Sequence, residues 1–98
     1  MALKIVWSRR AYQKFDQIIS YLIAEWGDKP TKEFIGKVFD FLYILSEYPE
    51  IGSIENKEKN ISGFTIVKQV NIFYRIKGDR IIILLFFDNR QNPKKKRF

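Results

Sequence analysis

The chain has no cysteine and no histidine. Without cysteine there are no disulfide scaffolds, thiolate zinc sites or thiol nucleophiles. Without histidine there is no Ser-His-Asp triad, no imidazole metal ligand and no general base of the usual kind. Its five glycines are scattered, none in the G-x-G-x-x-G or P-loop spacing that cradles a nucleotide. The carboxylates show no metal-ligand spacing, so neither a metal nor a cofactor is expected. The longest apolar run, residues 81–87, is far shorter than the ~20 residues of a membrane span, and two arginines follow the first apolar segment at once. A soluble intracellular protein that makes no membrane contact is expected, with Lys, Arg, Tyr, Asp and Glu left to carry any chemistry.

Ninety-eight residues, 46% apolar and 30% charged, suit one globular domain spanning 1–98. The net charge of +7 is uneven. Residues 1–49 hold 7 Lys and Arg against 6 Asp and Glu, and residues 50–98 hold 11 against 5. A balanced first half followed by a basic second half suggests a scaffold carrying a surface for a polyanion or an acidic partner. A simple solubility bias is the alternative.

Residues 3–7 are rich in β-formers and read as a first strand. Ser8 then looks like a helix cap, and Ala11, Phe15, Ile18, Ile19, Leu22, Ile23 and Trp26 recur at spacings of three and four up to Gly27. After a joint of about three residues, Asp28 is expected to cap a second helix that runs to Pro49 with Phe34, Val38, Phe41, Leu42 and Leu45 as its core stripe. Ile35, Phe39 and Tyr43 form a second apolar row beside that stripe, and Ile44 lies on the opposite flank. So greasy a helix packs on two sides or awaits a partner.

Residues 49–60 read as a polar loop. Residues 64–68, 70–76 and 81–87 read as strands, the last two joined by a tight turn at Lys77-Gly78-Asp79. Val70, Ile72, Tyr74 and Ile76 alternate with Asn71, Phe73 and Arg75, so one sheet face should be more polar. The unbroken apolar run 81–87 is expected at the centre of the sheet. Residues 88–98 form a basic tail. The expected fold is α+β, ordered β-α-α-β-β-β, with a helical hairpin on one face of a mostly antiparallel four-stranded sheet and a shallow, basic opposite face.

The candidate cations are Lys57, Lys59, Lys68, Arg75, Arg80, Arg90 and the run Lys94, Lys95, Lys96 and Arg97. Without histidine, RNA cleavage still needs a group to take the 2′-hydroxyl proton and cations to stabilise the phosphorane. A lysine with a lowered pKa or Tyr74 could move the proton, although a strand tyrosine is more often core. For any one of these cations, solvated surface charge is the commoner explanation. Asp88 and Arg90 could form a hydrogen-bonded corner or aim the arginine at a phosphate.

Several features in order resemble the RelE/ParE superfamily of type II toxin–antitoxin toxins, closest to its ParE-like branch. They are Ser8-Arg9-Arg10-Ala11 opening the first helix, Trp26-Gly27 closing it, and Pro49 and Gly52 after the second. Phe73-Tyr74-Arg75 and the terminal FFDNRQNPKKKRF complete the set. The resemblance implies a bacterial cytoplasmic toxin neutralised by a cognate antitoxin in a hetero-oligomer, with the antitoxin docking on Ile35, Phe39 and Tyr43. A second toxin copy or the N-terminal strand is the alternative cover for that row.

The resemblance further implies one of two targets. As a ParE-like protein the chain would bind and poison DNA gyrase without being an enzyme, through Arg75, Arg90, Lys94, Lys95, Lys96 and Arg97. As a RelE-like protein it would bind the ribosome and cut mRNA, using Lys57, Lys59, Lys68, Tyr74, Arg75 and Arg90. The first is the expectation. A toxin fold that acts only as an antitoxin partner is a third.

Overall fold

The computed structural model describes residues 2–89. Strand β1, Lys4–Trp7, leads into helix α1, Arg9–Trp26, and helix α2, Asp28–Glu47. Four strands follow: β2 Ser53–Asn56, β3 Ile61–Val67, β4 Val70–Lys77 and β5 Arg80–Asp88. They form one five-stranded sheet in the order β1-β5-β4-β3-β2. β1 runs parallel to β5 and every other neighbouring pair is antiparallel.

The α+β class and the helical hairpin are as expected, and the strand count differs. The additional strand β2 lies inside the segment read as a loop, and β3 starts three residues earlier than its apolar run. β5 is interior but not central, because β4 holds the middle position.

Ser8 begins α1 as the sequence suggests. Its hydroxyl accepts from the Ala11 N–H at 3.0 Å and donates to the Leu84 carbonyl at 3.1 Å, and its own N–H donates to the Ile83 carbonyl. One side chain thus caps α1 and ties it to β5, where Leu84 is the extra residue of a bulge opposite Phe73 and Tyr74. The helices are joined by Gly27 alone. At φ +84° it sits where L side chains are strained, and its N–H donates to the carbonyls of Leu22 and Ile23. Gly27, not Asp28, is therefore the cap of α2. The Thr31 hydroxyl donates to its carbonyl at 2.8 Å.

The main core lies between the helices and one sheet face. Ala11, Ile18, Phe34, Val38, Leu42 and Leu45 pack over Val70, Ile72, Tyr74, Ile81, Ile83 and Phe86. An aromatic group closes it at β1, with the Trp7 ring 5.2 Å from both Phe15 and Phe86. The opposite face is not uniformly basic as expected, because Ile61, Phe73, Leu85 and Phe87 form a second buried cluster there. Alternation sorts the strands accordingly: Lys4, Arg75, Lys77 and Arg80 belong to this second face, since Ile5, Tyr74, Ile76 and Ile81 all pack in the main core.

Candidate functional site

The turn after β2 gathers the first candidate residues. The Asn56 side chain accepts from the Lys59 N–H, the Asn60 N–H donates to the Lys57 carbonyl, and Asn60 adopts φ +56°, which asparagine tolerates. The turn is fastened to β4 by two further bonds. Arg75 Nε donates to the Lys59 carbonyl at 2.9 Å, and Asn60 Nδ2 donates to the Ile76 carbonyl at 2.9 Å. Lys57, Lys59 and Arg75 therefore share one end of the sheet. Arg75 is half-buried with one edge of its guanidinium committed to the backbone, while the two lysines are exposed.

Tyr74 and Lys68 stand apart from this group. Tyr74 is fully buried on the helix side of β4, the face opposite Arg75. Its hydroxyl donates to the Pro49 carbonyl at 3.2 Å and accepts from the Gly52 N–H at 3.0 Å, which pins the α2–β2 connection across the sheet. Burial raises its pKa above the usual phenol value of 10.0, and the hydrogen bonds from Gly52 and Ser62 offset part of that rise. A buried phenol bonded in this way acts as a structural clamp on the α2–β2 connection. Lys68 is exposed in the β3–β4 turn, roughly 20 Å from Arg75 by strand rise. Arg90, Lys94, Lys95, Lys96 and Arg97 lie outside the described residues, as does part of the Asp88–Arg90 corner. Among the described residues no group of three or more Asp or Glu is placed to hold a metal ion.

The apolar row on α2 divides. Ile35 is half-buried. Phe39 is 53% exposed, yet its ring stacks 6.3 Å from Trp7 and meets Phe15 edge-on, so it already contacts the N-terminal strand. Tyr43 is 72% exposed. On the opposite flank Ile44, Tyr48, Ile54 and Phe64 are also exposed, with the Phe64 ring stacked on buried Phe41 at 4.3 Å. At the Gly27 end, a groove of about 370 Å³ opens between the hairpin and the β3–β4 turn, lined by Leu22, Trp26, Pro30, Phe34 and Val67. Neither this groove nor the Ile54 flank is legible in the sequence, since each is assembled from separate elements, the groove from the hairpin and the β3–β4 turn and the flank from α2, β2 and β3.

The family model for the ParE toxin of the type II toxin–antitoxin system parDE matches residues 5–93. Among solved structures the chain is similar to the chromosomal ParDE system from P. aeruginosa, with 16% identity and a TM-score of 0.74 over 89% of this chain and 96% of that one. It is also similar to the YoeB/ParE toxin from Agrobacterium tumefaciens, with 13% identity and a TM-score of 0.67 over 88% and 98% of the two chains. A third similarity is to the YoeB dimer from Staphylococcus aureus, with 14% identity and a TM-score of 0.61 over 87% and 94%. Likeness at such identities concerns the fold. No curated protein matches the sequence significantly.

Proposed function

Because the chain belongs to the ParE toxin family of type II toxin–antitoxin systems, we propose that it is a growth-inhibiting toxin that acts in the bacterial cytoplasm by binding DNA gyrase. The supporting observation is that two of the residues RNA cleavage would call on, Tyr74 and Lys68, stand apart from the Lys57, Lys59 and Arg75 group. A histidine-free nuclease has to take a proton from the 2′-hydroxyl beside the cations that stabilise the phosphorane. Here the Tyr74 hydroxyl is sealed in the core on the other face from Arg75, and Lys68 is at the far end of the sheet. Binding a large target makes no such demand on geometry. It needs charge of one sign, which Arg75, Arg90, Lys94, Lys95, Lys96 and Arg97 would supply.

The cognate antitoxin that the family implies would dock on the Ile35, Phe39 and Tyr43 row. Tyr43 and half of Phe39 are exposed there beside the edge strand β1.

A second reading, ribosome-dependent mRNA cleavage, draws on the clustering of Lys57, Lys59 and Arg75 at one sheet end. Induction of the chain without its antitoxin in a bacterial host separates the two, with DNA integrity and mRNA ends followed together. Gyrase poisoning gives filamentation and the DNA-damage response with intact message. Cuts within translated codons without DNA damage would overturn the proposal and make Arg75 and the two lysines the active site.

A further inference from the structure

Three cations stand in direct register across three strands. Lys4 of β1 pairs with Arg80 of β5, and Arg80 pairs with Lys77 of β4. All three belong to the sheet face away from the helices, since their neighbours Ile5, Ile76 and Ile81 pack in the main core. Paired residues on one face hold their Cβ atoms about 5 Å apart, and like charges so placed repel. Arg75, two residues up β4 on the same face, adds a fourth cation.

The local carboxylates do not balance this row. Asp79 approaches Arg80 at 3.8 Å with both side chains largely exposed, and Glu58 lies in the adjoining turn between Lys57 and Lys59. The placement is rigid, because Gly78 at φ +62° closes a two-residue hairpin turn between Lys77 and Arg80. Nothing in the folding of the chain gains from an in-register row of like charges on a rigid sheet end.

We propose that Lys4, Lys77 and Arg80, flanked by Arg75, form a binding site for the phosphate backbone of duplex DNA. A row spanning two strand spacings, about 10 Å, faces roughly six phosphates of a duplex that carries one charge per ~1.7 Å of axis. The chemistry of the corner favours a duplex over a single strand. Single-stranded nucleic acid is held by bases stacked on exposed aromatic rings. On this face the described aromatic residues, Phe73 and Phe87, are buried. Such a corner can read backbone charge but offers no ring to a base. An interface core for a protein partner would ask for an exposed anchor of the same kind. The site shares only Arg75 with the set proposed for gyrase, and its binding is measured with no gyrase present.

The test is fluorescence anisotropy of the full chain with a labelled mixed-sequence DNA duplex between about 50 and 200 mM salt. Lys4→Gln, Lys77→Gln and Arg80→Gln should each weaken binding and flatten the log–log salt slope by about 1, with Arg80→Lys retaining it. Lys32→Gln, on exposed α2, should leave the slope unchanged and serves as the control. The triple glutamine variant should melt no lower than the parent at low salt, because it relieves repulsion. An unchanged slope in the triple variant would overturn the proposal by assigning the binding to other cations. Tighter binding of single-stranded RNA, lost in the same variants, would overturn the assignment to duplex DNA.

Discussion

Ser8 and Tyr74 show how much a single polar side chain can fix. The Ser8 hydroxyl serves the Ala11 N–H and the Leu84 carbonyl together, so Ser8→Ala removes a helix cap and a tether to the β5 bulge. A loss of about 1–2 kcal/mol in denaturant unfolding is expected. A loss under ~0.3 kcal/mol would show that water replaces both bonds. Tyr74 makes a pH-dependent contribution. Its phenol ionises near 10 in the unfolded chain and at higher pH in the folded one, chiefly because of burial. Between those values the unfolded state binds fewer protons, so stability falls as pH rises. The contribution is fully present below pH 10 and is lost as pH climbs through the folded value. Tyr74→Phe should therefore melt about 1–3 kcal/mol less stable at neutral pH, with the Gly52 N–H and Pro49 carbonyl unpartnered, yet decline less steeply above pH 10. Parallel melting curves for the two proteins across that range would reject Tyr74 as the source. The alternation of Val70, Ile72, Tyr74 and Ile76 already assigned this tyrosine to the apolar face. Only the fold reveals that its hydroxyl reaches the α2–β2 connection.

The elements that repeat a period were legible, and those that do not were missed. α1, α2 and β4 announce themselves by spacing, and the apolar stripe expected on α2 is buried residue for residue. β2 has the sequence Ser-Ile-Glu-Asn, and its one apolar residue, Ile54, is exposed, so no pattern marks it. Pairing with β3 makes it a strand. The start of β3 is masked by Gly63, which reads as a breaker but is needed because a Cβ there would meet the Phe73 ring at 2.9 Å. Gly52 is constrained in the same way. A Cβ would press on the Tyr74 hydroxyl and lie 2.7 Å from the Gly63 carbonyl, which is backbone and cannot yield. Gly36, in the middle of α2, has nothing within 4 Å of its Cβ position. The two glycines should thus respond oppositely to alanine. Gly52→Ala should lose about 1–3 kcal/mol by overpacking, and Gly36→Ala should gain about 0.5–1 kcal/mol from helix propensity. Urea unfolding of both variants checks this, and a neutral Gly52→Ala would mean that the connection is free to move. The in-register row of Lys4, Arg80 and Lys77 was hidden for the same reason as β2, since only strand pairing brings position 4 beside position 80.

At the scale of the molecule, the helical layer leaves apolar surface on two flanks, and only one can be the main seat of an antitoxin segment. The β1 flank presents Phe39 and Tyr43 beside Trp7. The β2 flank presents Ile44, Tyr48, Ile54 and Phe64. Both border an edge strand. Phe39 is a poor probe because its ring supports Trp7 and Phe15, so its removal would confound binding with folding. Tyr43 and Ile54, at 72% and 71% exposure, can be cut back without disturbing the core, and each truncation should change stability by less than ~0.5 kcal/mol. If the antitoxin docks on the β1 flank, Tyr43→Ala should weaken it by about tenfold or more, the loss expected of an aromatic anchor, and Ile54→Ala should leave it nearly unchanged. Titration calorimetry with the purified antitoxin measures both. The reverse pattern would transfer the antitoxin to the β2 flank. Comparable losses in both variants would mean a segment that crosses from one edge of the sheet to the other, which a helix alone at 1.5 Å per residue would need about thirteen residues to do across the ~20 Å of four strand spacings.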